Sequence, residues 1–185
     1  TLTPQGKLIV QQTLKAGKKA MPDMPRFGMT LVMPSAYNAI HYYGRGPIEN
    51  YADRHTSTFL GIYNQKVADQ YSPYIRPQES GNKTDIRWWS VYAPETMQGL
   101  TFTAPEPLEM TSINYLTSDL DGGEVKEAQQ MHSGDLTPRD FTVVHIAQKQ
   151  MGLGCVDSWG SWPLPKYRIP YADHDFTFVI SPNVR

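Results

Sequence analysis

The chain has 185 residues, with 17 Lys and Arg against 18 Asp and Glu, a formal net charge of −1. A balance so even excludes the cation excess that nucleic-acid binding needs to displace phosphate counterions. Charged residues make up 19%, aromatics 11%, and there are 14 glycines and 15 prolines, a mixture suited to strands and turns rather than a helix bundle.

The length fits one domain, spanning 1–185, able to bury a core without staples. No apolar run approaches the ~20 residues of a membrane span, so no membrane partner is expected, and no signal peptide opens the chain. A soluble protein, cytoplasmic or periplasmic, is expected, with the compartment left open. The only cysteine, Cys155, cannot form an internal disulfide.

Taken in order, strand patterns fall at residues 7–14, 26–33, 38–43, 83–92, 100–104, 108–115, 141–148 and 175–181. In the fourth, Ile86, Trp88 and Tyr92 share one face and Trp89 with Val91 the other. In the last, Phe176, Phe178 and Ile180 alternate with polar neighbours, as a half-buried strand requires. Helix patterns are poor. Residues 117–132 are split by Gly122-Gly123 and support a turn or two. The expected fold class is therefore all-β, an antiparallel β-sandwich. A barrel of alternating strands and helices is excluded, since it takes about 250 residues and periodic amphipathic helices.

Three segments are dense in unusual residues. Residues 41–54 read as a structural Ω-like loop, with Arg45, Glu49, Asp53 and Arg54 holding one another; no phosphate-loop lysine follows its glycines. Residues 71–89 bunch polar groups beside aromatics, as a sugar site does. The plainer reading, slightly ahead, is a turn into a strand, with Glu79, Asp85 and Arg87 satisfying backbone and one another. Residues 150–163 carry three glycines and two tryptophans, Trp159 and Trp162; composition alone favours the core for a sandwich Trp. The carboxylates at 119–124 lack the calcium-loop spacing. Cys155 has no His base that sequence can name and reads as a small buried apolar residue.

In this order the segments resemble the C-terminal small-chain domain of glycoside hydrolase family 2 β-galactosidases. The resemblance rests on Pro25-Arg26-Phe27-Gly28, on Tyr43-Gly44-Arg45-Gly46-Pro47-Ile48-Glu49-Asn50-Tyr51-Ala52-Asp53-Arg54, on Tyr74 through Trp88, and on Gln150-Met151-Gly152-Leu153-Gly154 with Asp157-Ser158-Trp159. The family usually has Gly-Gly-Asp-Asp-Ser-Trp in the last motif; here Cys155 and Val156 replace the second Gly and first Asp.

The resemblance implies a supersandwich of the galactose-mutarotase-like type. It also implies that the catalytic carboxylate pair of a retaining glycosidase lies on a barrel upstream of this domain, absent here. The chain is thus expected to be a single C-terminal domain excised from a longer enzyme that hydrolyses terminal β-galactosides, and to be inactive alone. Its implied partners are that barrel, the other domains of the parent chain, and a galactoside or other sugar. By the same resemblance, no catalytic residue lies here, and Trp159 lines the aglycone side of the pocket with an exposed or loosely packed ring. Asp157 and Ser158 brace its loop. No cofactor is expected in this fragment; the Mg and Na ions the parent family often uses are bound largely elsewhere. Two alternatives stay open. One is an aldose mutarotase, needing Glu and His across one concave site. The other is a stand-alone carbohydrate-binding module using Trp88, Trp89, Trp159 or Trp162 as platforms.

Overall fold

The computed structural model describes residues 1–123, 132–155, 157 and 160–183. Among the described residues ten strands form two antiparallel sheets, the antiparallel all-β class that the alternation predicted. They are β1 (Leu8–Leu14), β2 (Arg26–Pro34), β3 (Ala39–Gly46), β4 (Phe59–Lys66), β5 (Lys83–Ile86), β6 (Trp88–Tyr92), β7 (Gly99–Thr103), β8 (Leu108–Ile113), β9 (Phe141–Gln150) and β10 (His174–Asn183). The larger sheet has the order β1-β10-β7-β6-β3-β4 and the smaller β2-β9-β8-β5.

Alternation along each strand turns one face of each sheet inward. In the larger sheet Tyr42, Trp89, Phe102 and Ile180 stand opposite one another across β3, β6, β7 and β10, a continuous inward row. Leu108, Met110, Val144 and Ile146 of the smaller sheet join the same core. Trp89 anchors it: its ring stacks on Tyr42 at 4.5 Å, and its buried indole N–H donates to Ser112 Oγ at 3.0 Å. Satisfying that N–H lets a large ring sit in the core without an orphaned donor.

Residues 83–92 form two strands instead of the single predicted one. The chain crosses from the smaller sheet to the larger at Arg87, just after Asp85 takes a left-handed φ of 58°. The crossing resets the parity. Ile86 and Trp89 both reach full burial from opposite sheets, while Trp88 turns outward and meets His41 edge-on. Strand β4 escapes the sequence reading altogether. It is an edge strand whose half-buried positions are Gly61, Tyr63 and Gln65 while the apolar Phe59, Leu60 and Ile62 are exposed, so its burial period does not follow its hydrophobicity. The predicted helical turns at 117–132 reduce to α1 (Thr117–Leu120), begun by Asp119 accepting the Leu116 N–H at 2.9 Å; residues 124–131 lie outside the described residues.

Candidate functional site

The three dense segments, far apart in sequence, meet at one end of the sandwich. Buried Asn50 is the pin between the first two. Its amide N–H donates to the Arg45 and Ile48 carbonyls, and its Oδ1 accepts from both the N–H and the hydroxyl of Thr84 at the start of β5. Asn82 answers by donating from its side chain to the Asn50 carbonyl at 3.0 Å and to Glu109 at 2.9 Å. Glu49 accepts the Gly81 N–H at 2.7 Å and pairs with Arg54 at 2.8 Å. Arg54 also donates to Tyr74 Oη at 2.6 Å and lies over the Tyr51 and Tyr74 rings.

The third segment is joined by two further carboxylates. Glu79 forms a largely buried ion pair with Arg26, whose Nε donates to Gln150 Oε1 at 2.9 Å at the end of β9. Asp53 receives three successive backbone N–H groups: Leu153 at 3.1 Å, Gly154 at 2.8 Å and Cys155 at 3.1 Å. Such a nest of amides around an anion fixes a loop without secondary structure. Gly152 belongs to the same design, since a Cβ there would come within 2.5 Å of the Asp53 carboxylate.

The predicted quartet therefore divides. Glu49 and Arg54 do hold each other, but Arg45 pairs with Asp85 and Asp53 serves the 153–155 loop. Likewise Asp85 interacts with Arg87, whereas Glu79 reaches Arg26 instead. Adjacency in sequence suggested the wrong partners because these side chains point across the junction between loops. Asn50 and Asp53 carried no signal of their role beyond standing in a Gly/Pro-rich loop.

Of the site residues expected from the resemblance, Asp157 is exposed and accepts the Ser161 hydroxyl at 2.7 Å. Ser158 and Trp159 lie outside the described residues. Among the other tryptophans, Trp89 is wholly buried and offers no platform. Trp162 is 54% exposed, with the Arg168 guanidinium over its ring at 5.5 Å. Cys155 is exposed, against the buried role expected, and holds a left-handed φ of 56°. That angle favours glycine, so Cys155 places a side chain where the backbone best suits a residue without Cβ. Among the described residues no three His, Cys, Asp or Glu side chains assemble as a metal-ligand set, and no helix is long and apolar enough to cross a membrane.

Fold and junction together define a two-sheet, all-β domain whose unusual residues are spent on shaping loops at one end. The chain belongs to the beta galactosidase small chain family, whose model matches residues 1–180. It is similar to the beta-galactosidase of Priestia megaterium, 34% identical over 184 residues, covering 98% of this chain and 17% of that protein. With the beta-galactosidase of Halalkalibacterium halodurans it shares 35% identity over 185 residues, 99% of this chain and 18% of the relative. That of Lactobacillus delbrueckii subsp. bulgaricus is 34% identical over 164 residues, 88% of this chain and 15% of its own. The chain thus spans under a fifth of the length of these relatives.

Proposed function

We propose that this chain is the C-terminal accessory domain of a retaining β-galactosidase, folded as one domain over 1–185 in the galactose-mutarotase-like supersandwich manner. It closes one wall of the active-site pocket, while the catalytic carboxylates stand on a barrel elsewhere in the parent chain. The observation that carries this reading is the capture of the 153–155 loop by Asp53 at the junction of all three motif segments. A domain with no chemistry of its own contributes by holding a surface loop in one shape. Trp159 would then meet the aglycone sugar, its indole packing on the C–H face of a pyranose, with Asp157 and Ser158 bracing the loop.

Two measurements test this. In the full-length parent, Trp159→Leu should weaken acceptor-sugar binding by about 1–3 kcal/mol, by analogy with aromatic stacking on bases, with hydrolysis of a simple nitrophenyl galactoside less affected. The purified 185-residue chain should show no β-galactosidase turnover, because acid/base and nucleophile act as a unit. Unchanged acceptor binding in the variant, or turnover by the chain, would reject the assignment.

The mutarotase alternative gains one observation: Glu79 and His145 line a common cavity. Yet Glu79 is engaged by Arg26, and burial together with the Arg26 charge pushes the His145 imidazole down to about 3. A proton-transfer pair works best with pKa values near the operating pH. These groups are set for hydrogen bonding instead.

A further inference from the structure

Natural sheets manage their edges, because an unpaired row of N–H and C=O groups invites another strand. Among the described residues the two sheets present four edge strands, β1, β4, β2 and β5, and three of them are guarded. At β1, residues 1 and 2 fold back: Ile9 bonds Thr1 through both its N–H and its carbonyl, and Leu2 bridges Leu8. Along β2 the register slips between Phe27 and Gly28, and the strand ends at Pro34. Strand β5 has four residues, slips between Lys83 and Ile86, and carries the left-handed Asp85. Shortness, bulges and proline are the protections such edges use.

Strand β4 has none of these. Its register with β3 runs unbroken from Ala39↔Lys66 to Gly46↔Phe59. It holds no proline, and its one charge, Lys66, stands at its last position. Among the described residues, no hydrogen bond other than the ladder to β3 reaches the backbone of residues 60–65. Alternate residues of an antiparallel edge aim both N–H and C=O outward, so half of this stretch is open to a further strand. The outward side chains at its start are apolar. Ile62, 64% exposed, stands in register with Tyr43, and Tyr43 with Trp88, a row across β4, β3 and β6 on the face away from the core. Leu60 lies on that same face, and Phe59, 74% exposed, stands at the strand's first position.

Two facts name the occupant. This chain covers 17% and 18% of two of its relatives, so most of such a protein lies outside it. Strands β3 and β4 are joined by residues 47–58, the segment carrying Glu49, Asn50, Asp53 and Arg54. Whatever faces the loops of the proposed wall therefore stands beside this edge. We propose that β4 receives an extended, uncharged segment from the rest of the parent chain, which adds to the larger sheet and lays alternate apolar side chains over Leu60 and Ile62. This rests on the accessory-domain reading and names the surface through which that domain is held. Docking there also holds the hairpin whose loop presents Asp53 to the 153–155 amides.

The test is hydrogen exchange, read by mass spectrometry at residue resolution on the 185-residue chain and on the full-length parent. In the chain alone, the outward amides of residues 60–65 should exchange freely; in the parent they should slow about a hundredfold. Ile62→Lys should return that stretch to fast exchange in the parent. In the chain alone it should leave the melting temperature unchanged, since the side chain is mostly in water. The wild-type comparison uses no variant, so it decides the matter even where Ile62→Lys leaves the parent unfolded. Fast exchange at 60–65 in a parent that hydrolyses a nitrophenyl galactoside overturns the docking and leaves the accessory-domain reading standing. Protection in the chain alone that grows with concentration, at a dimer's mass, assigns the edge to a second copy and overturns the proposal as well. Turnover by the chain alone removes the accessory-domain reading, and this proposal with it.

Discussion

Replacing Asp53 by Ala should free the 153–155 loop while leaving the sandwich folded. The carboxylate accepts N–H groups at 3.1, 2.8 and 3.1 Å from Leu153, Gly154 and Cys155. A hydrogen bond to a charged group contributes about 1.5–3 kcal/mol when buried. Here the loop is exposed and water competes, so we discount each to about 1 kcal/mol, giving about 3 kcal/mol of local stability. At about 1.4 kcal/mol per tenfold, amide exchange at those three residues should quicken roughly a hundredfold, measured by hydrogen exchange. Gly152→Ala perturbs the same contact from the other side, because its Cβ would stand 2.5 Å from Asp53 Cγ and 2.6 Å from Oδ2. The nearest atoms belong to the end of a flexible side chain, so the carboxylate must withdraw from the nest. Once Asp53 is Ala that conflict disappears. The double variant should therefore lose less than the sum of the singles, by about 1–2 kcal/mol of coupling. Additive losses, or amide exchange unchanged in Asp53→Ala, would refute the capture of the loop by this carboxylate.

Two predictions concern pH. Burial pushes the Lys83 ammonium down to about 8 from 10.5, though Gln70 Oε1 accepts from it at 2.8 Å. Between those values the unfolded chain holds a proton that the folded chain has released, so stability should rise with pH through that window. Lys83→Met should remove this contribution, detectable by comparing denaturant melts of the two proteins at pH 7.5 and 10; an equal slope in the variant contradicts it. Burial likewise raises Glu109 to about 7 from 4.5, against the hydrogen bond it accepts from Asn82. Here the folded chain keeps a proton the unfolded one loses, so this group's contribution falls as pH climbs from 4.5 to 7. Glu109→Gln should flatten that fall, and a variant losing stability as steeply as its parent over the same range would exclude Glu109 as its source.

The all-β class was legible in the chain because burial on one face writes a period of two into the residues. Phe176, Phe178 and Ile180 alternate as expected, and all three are buried. Motif order was equally legible, and the family assignment follows from it. Where local pattern and burial part company, the sequence fell silent. Strand β4 turns Gly61, Tyr63 and Gln65 inward and leaves Phe59, Leu60 and Ile62 exposed, and Arg87 resets the parity where the chain changes sheets. The junction needed the tertiary structure most. Glu79 finds Arg26 across 53 residues and Asp53 finds the Gly154 amide across 101. Such pairs leave no trace in local composition, since a charged side chain on a loop reads the same whether it meets water, its neighbour or a distant backbone. Only the packing of the two sheets brings those loop ends within hydrogen-bonding reach.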